Sequence, residues 1–240
     1  MLDNIIVFYI FFTIVGFLAA MLGTIIGAGG GLVFVPLFMY WFPEWSPSMI
    51  VGTSLFSVMC NAISGSIAYI KQKKVLISAA IVFSLATLPG AILGAQMSGW
   101  FSGQGFMFAF GCFMLCASGL IGFKNFKKGE RKEESLTLDQ LTYSKPIGIS
   151  ISFFVGFISS IFGISQSILA VSTMIGVITH LLENHIVFSI AIPTSIGAIF
   201  GAQVGARIAK RLKAKSILAL MSVAVFALAV RLILKSGILG

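Results

Sequence analysis

The residues best suited to chemistry in this chain are the glycines of Gly27-Ala28-Gly29-Gly30-Gly31, set inside an apolar run over positions 5–42. A glycine costs a helix interior roughly 1 kcal/mol relative to alanine. Four in five residues therefore make sense where the backbone leaves the helix or approaches another group closely. The apolar run resumes at Leu32 and contains Pro36, which puts the glycines at the start of a second, short helix. Bare amides at a helix N-terminus suit an anion. Small residues also let helices pack closely in a membrane, and both readings stand at this point.

A second set of candidates is polar but uncharged: Thr53, Ser54, Asn61, Gln96, Ser165 and Gln203. Hydroxyls and amides donate to an anion without the burial of a fixed charge. Together with Gly27, Gly29, Gly30, Gly31 and Pro36 they make up the expected substrate site. The plainer role for Ser and Thr is to bridge helices, worth about 0.6 kcal/mol each. Gln96 and Gln203 stand out because they occupy equivalent places in an internal repeat. Asp3, Glu44 and Glu183 sit at the edges of apolar segments, so a buried carboxylate proton relay has no candidate. His180 could titrate near neutral pH, but it lies at a segment end beside Glu183 and His185 and reads as interfacial. Arg231 is about one helical turn from Lys235 and reads as a snorkelling cation. Phe8, Phe11, Phe12, Phe106, Phe108 and Phe110 read as lipid-facing bulk. No motif asks for a cofactor or a metal.

The elements that must position these residues are membrane helices. The 240 residues are 58% hydrophobic and 10% charged, with a mean hydropathy of +1.06, as in a multi-pass protein of the cell membrane. The net charge of +9 is not spread as a nucleic-acid surface would be. Fourteen of the sixteen Lys and Arg fall at 71–74, 124–145 and 207–215, between apolar runs, which marks those segments as cytoplasmic loops. Cys60, Cys112 and Cys116 lie within apolar segments and read as packing residues. A long first apolar segment preceded by Asp3 argues against a cleaved signal peptide. The expected fold is all-α, a polytopic transmembrane bundle. Its apolar segments cover 5–26, 32–42, 49–70, 75–97, 106–123, 146–162, 167–182, 186–206 and 216–234. The polar stretch 124–145 divides a first transmembrane repeat (1–123) from a second, shortened one (146–240).

The two halves are related. Val15-Gly16-Phe17 matches Val155-Gly156-Phe157 at an offset of 140, and Gly65-Ser66-Ile67 aligns with Gly176-Val177-Ile178 at 111. Gly90-Ala91-Ile92-Leu93-Gly94-Ala95-Gln96 matches Gly197-Ala198-Ile199-Phe200-Gly201-Ala202-Gln203 at 107, with six of seven residues identical. Basic 71–74 corresponds to 182–185, which holds no Lys or Arg, and uncharged 98–104 corresponds to basic 205–211. Inside loops of one half thus match outside loops of the other, the mark of an inverted repeat and of a transporter. The fall in offset from 140 to 111 leaves 29 residues, about 24–52, without a counterpart near Gly163-Ile164. Parity points to the same gap. Three apolar segments separate two loops that both read as cytoplasmic, and one restored short helix would make four.

In this order the motifs resemble the sulfite exporter TauE/SafE family, also called the 4-toluene sulfonate uptake permease family. The first half carries the glycine run, Pro36, Gly52-Thr53-Ser54-Leu55, Asn61, Ser64-Gly65, Tyr69 and Pro89-Gly90-Ala91-Ile92-Leu93-Gly94-Ala95. The second carries Ser165, Gly176-Val177-Ile178-Thr179-His180, Gly201-Ala202-Gln203 and Arg231. The resemblance implies a non-enzymatic carrier of sulfite, sulfonates or related small sulfur-containing or organic anions. Its partners would be that anion and the lipid bilayer, with no nucleic acid; a homo-oligomer stays open. The departure is the absent second glycine-proline element, without which the chain could be a transport-inactive membrane protein. An intramembrane serine protease using Ser165 with His180 or His185 is the other alternative. An inverted repeat has no evident use in it.

Overall fold

A backbone in hydrocarbon must satisfy its own hydrogen bonds, and a helix does so within one segment. The computed structural model describes residues 2–26, 30–71, 77–127, 150, 170–211 and 214–237, and its regular elements there are all α-helices. They are α1 (Leu2–Ile26), α2 (Gly31–Trp41), α3 (Pro47–Lys71), α4 (Ile77–Ser98), α5 (Gly103–Lys127), α6 (Ala170–Leu182), α7 (Phe188–Ala209) and α8 (Ala214–Lys235). Ile5–Ile25, Pro47–Ala68 and Phe188–Ala209 are each long and apolar enough to cross a membrane. Gly31–Trp41, Gly103–Gly119 and Thr173–Leu182 are shorter apolar helices. Of the expected linker 124–145, residues 124–127 continue α5. Residues 128–145, the expected segment 146–162 apart from residue 150, and the gap at Gly163-Ile164 lie outside the described residues.

The frame is built from α1, α3 and α7, which run in the same direction. Thr53, Ser57 and Ser64 of α3 meet, in order, Val187, Thr194 and Ile199 at the start and along the length of α7. Thr13, Phe17 and Met21 of α1 meet Gly197, Gly201 and Gly205 of α7. A Cβ on Gly197 or Gly201 would run into the Thr13 or Phe17 carbonyl, and one on Gly205 would lie 2.5 Å from the Met21 carbonyl oxygen. Gly16 reciprocates against the Thr194 carbonyl. Glycine every fourth residue puts one bare stripe on a helix, so the backbones themselves touch.

The neighbours run the other way. A Cβ on Gly99, just past α4, would lie 3.2 Å from Ser48 Oγ at the start of α3, so α4 is antiparallel to α3. Ser118 of α5 donates to the Ser222 carbonyl of α8 at 2.8 Å, while Gly111 packs on Ala229 and Ile233; that pair is antiparallel as well. The two copies of the Gly-Ala-Ile motif, on α4 and α7, therefore point in opposite directions. Their burial also matches position by position: Thr87, Gly90, Ala91, Gly94 and Ala95 are buried, as are Thr194, Gly197, Ala198, Gly201 and Ala202.

Apolar side chains divide between core and periphery. Phe8 and Phe11 are exposed, as expected of lipid-facing residues, but Phe12, Phe106 and Phe110 are buried. Phe106 and Phe110 stack with centroids 6.1 Å apart because a period of four returns them to the same face of α5. Composition does not separate the two fates, since lipid and core are equally apolar. At the end of α2, Lys235 Nζ donates to the Met39 and Tyr40 carbonyls at 3.4 and 3.5 Å, where unpaired carbonyls favour a cation. The Arg231 guanidinium lies 4.5 Å from the Tyr40 ring centroid.

Candidate functional site: a polar seam and its cationic mouth

Besides its glycine contact with α1, α7 packs directly on α3, and the face between α3 and α7 is polar. Thr53 Oγ1 accepts the Val187 N–H at 3.1 Å. Ser57 Oγ and Thr194 Oγ1 are 2.7 Å apart. Thr194 also donates to the Ile190 carbonyl at 2.7 Å, which leaves Ser57 to donate to Thr194. Ser64 Oγ donates to the Ile199 carbonyl at 2.8 Å. Gln203 Nε2 donates to the Ser64 carbonyl at 2.7 Å and to its hydroxyl at 3.0 Å. Ser54 is fully buried, and among the described residues its hydroxyl has no hydrogen-bond partner. On the side toward α1, Thr24 Oγ1 donates to Asn61 Oδ1 at 2.9 Å.

The seam ends in a cleft of about 560 Å³ lined by Ala68, Lys71, Gln203, Arg207, Lys210 and Arg211. None of these six is acidic. Four cations around one polar amide form a mouth whose field attracts anions and repels cations. These residues are recognisable in the sequence as basic loop ends, but their convergence depends on α3 and α7 running in parallel to a common end.

The expected site residues fall into three groups. Gly30, Gly31, Pro36, Thr53, Ser54 and Asn61 are buried near α3, and Gln203 is half-buried at the base of the cleft. Gly30 caps α2 with φ −71° and ψ −14°, and its carbonyl accepts from Val33 and Phe34, both at 2.9 Å. The Asn61 amide nitrogen lies 3.7 Å from where a Gly30 Cβ would sit, so the glycine stretch adjoins the middle of α3. Pro36 has no N–H, which removes the helical donor to the Leu32 carbonyl. Gln96 stands apart, exposed near the far end of α4. Gly27, Gly29 and Ser165 lie outside the described residues. Thr24 and Thr194 belong to the polar set but escaped the sequence reading; a hydroxyl at the repeat position shared by Thr87 and Thr194 was the available signal.

A bundle of apolar helices with a polar seam opening into a charged mouth defines a multi-pass membrane transporter. The sulfite exporter TauE/SafE family matches residues 12–176, and the chain belongs to that family. It is 28% identical to "Probable membrane transporter protein YunE" of Bacillus subtilis (strain 168), over 94% of this chain and 97% of the relative. It is 26% identical to a "Probable membrane transporter protein" of Xylella fastidiosa (strain Temecula1 / ATCC 700964), over 79% of this chain and 80% of the relative. The Bacillus alignment runs over 265 positions and spans 94% of the 240 residues here, so about 39 of its positions have no counterpart in this chain. No solved structure matches the chain.

Proposed function

We propose that the protein is a secondary transporter that moves small anions, of the sulfite and sulfonate class, across the cell membrane. The observation that carries this is the mouth of the seam, where Lys71, Arg207, Lys210 and Arg211 surround Gln203 with no acidic residue in the lining. Under the positive-inside rule this end is cytoplasmic. An anion gathered there would pass Gln203 and Ser64 toward Asn61 and the glycine stretch, where amide donors at the start of α2 complete the path. The antiparallel run of α4 and α7, with matching burial, supports two inverted repeats about that level. On the inverted arrangement Gln96 would serve the opposite mouth.

The test is flux of radiolabelled sulfite into proteoliposomes, with sulfate, thiosulfate and short sulfonates as competitors. Saturable sulfite uptake, inhibited by at least one sulfonate, is expected. In Lys71→Gln/Arg207→Gln the half-saturating concentration should rise about tenfold through loss of the local field, with less dependence on ionic strength than the parent. Uptake indistinguishable from empty liposomes across the whole panel would leave a membrane protein without transport. A serine protease would pair Ser165 with His180 or His185, and Ser165 lies outside the described residues. Inactivation by a serine-directed fluorophosphonate probe, lost in Ser165→Ala, would favour that reading instead.

A further inference from the structure

At the end of the bundle opposite the cationic mouth, the turn between α6 and α7 carries His180, Glu183 and His185. Asn184 takes the left-handed conformation, φ 57°, and this reverses the chain so that the His185 N–H donates to the His180 carbonyl at 2.9 Å. The two imidazoles are thereby brought to 5.8 Å between centroids. Glu183 Oε2 lies 3.1 Å from His185 Nδ1. One donor atom from each of the three residues lies within 4.8 Å of the other two.

The cluster is held from behind. A Cβ on Gly52 of α3 would lie 3.0 Å from His180 Cβ and 2.7 Å from the His185 carbonyl oxygen, and Thr53 holds the Val187 N–H at 3.1 Å. His180 is 0% exposed, and among the described residues neither of its ring nitrogens has a hydrogen-bond partner; His185 Nδ1 is likewise shielded from solvent. The side chains of His185 and Glu183 keep 30% and 40% exposure, which leaves a route in from the surface. A buried imidazole without partners needs an explanation, and two imidazoles with a carboxylate are a ligand set for a borderline metal ion.

The geometry points to a binding site for a divalent transition-metal ion of the zinc class, formed by His180, Glu183 and His185. Metal–donor lengths of about 2.0–2.2 Å put the donors of a tetrahedral ion roughly 3.4 Å apart. The donors observed within 4.8 Å of one another need to draw in to that spacing, and the half-exposed His185 and Glu183 are the side chains with room to move. Three protein ligands leave one position open. The bound ion satisfies His180 and ties the α6–α7 turn together against α3. This site does not depend on the transport reading.

Zinc titrated calorimetrically into the purified, chelator-stripped full chain in detergent should bind saturably at one ion per chain and raise the melting temperature. Magnesium and calcium, which prefer oxygen ligands, should not compete. His185→Ala and Glu183→Gln, both at solvent-reaching positions, should each weaken binding at least tenfold and abolish the thermal shift. His180→Gln should abolish binding; should it fail to fold, the two surface variants decide. Absence of saturable zinc binding, or binding unchanged in both surface variants, would overturn the assignment.

Discussion

Gly30 shows how one residue can carry two explanations that only a paired substitution separates. A Cβ there would lie 2.5 Å from the Phe34 ring, and Phe34 is fully buried, so packing alone disfavours a side chain. Gly30→Ala should therefore destabilise the protein by about 1–3 kcal/mol through overpacking. Phe34→Leu, in the same chain, removes the obstructing ring edge and should restore most of the melting temperature. If the bare amides of the glycine stretch serve the anion, flux in Gly30→Ala/Phe34→Leu stays low despite the recovered stability. Full recovery of flux in that double variant would make Gly30 a packing residue. The Asn61 amide beside Gly30 and the Thr24–Asn61 bond at 2.9 Å are unchanged in either variant, so they do not confuse the result.

At the scale of elements, the α1–α7 contact is the closest packing among the described helices. Its glycines touch backbone rather than side chain, and backbone cannot rotate away. Gly201→Val should thus cost more than the usual ~1–3 kcal/mol of an overpacked core, with loss of the monodisperse peak in detergent chromatography. Gly103→Ala is the matched control, because a Cβ at Gly103 meets nothing within 4 Å; its melting temperature should stay close to the parent's. Equal tolerance of both substitutions would mean that α1 and α7 are not packed backbone to backbone. Spacing by four at Gly197, Gly201 and Gly205 is visible in the sequence, but their partner is not. Thr13, Phe17 and Met21 carry no matching signature, since a glycine stripe accepts almost any backbone.

For the whole molecule, the orientation in the membrane is the property on which the mouth and the seam depend. Single cysteines introduced as Lys73→Cys, Lys128→Cys and Lys213→Cys, in a background lacking Cys60, Cys112 and Cys116, should resist an impermeant thiol reagent added outside intact cells. Gly103→Cys should react. Labelling of position 213 from outside would place the cationic mouth on the wrong face and remove the inverted arrangement. The shortfall of 29 residues read from the repeat offsets is smaller than the roughly 39 positions of the Bacillus alignment that face gaps in this chain.

By itself the sequence determined the class: an all-helical membrane protein of many apolar segments, with the TauE/SafE motifs in order. These are properties of hydropathy, charge and spacing, all local along the chain. It could not tell core phenylalanines from lipid-facing ones, because both environments are apolar; Phe106 and Phe110 went to the core on packing alone. It put His180 at the end of a segment, where it lies, but not its burial by α3 and the reversal at Asn184, because burial is a property of neighbours rather than of a residue type. It treated Lys71, Arg207, Lys210 and Arg211 as markers of sidedness. Only the parallel run of α3 and α7, joined along their length by the Ser57–Thr194, Ser64–Ile199 and Gln203–Ser64 hydrogen bonds, brings those four charges around Gln203 as one mouth.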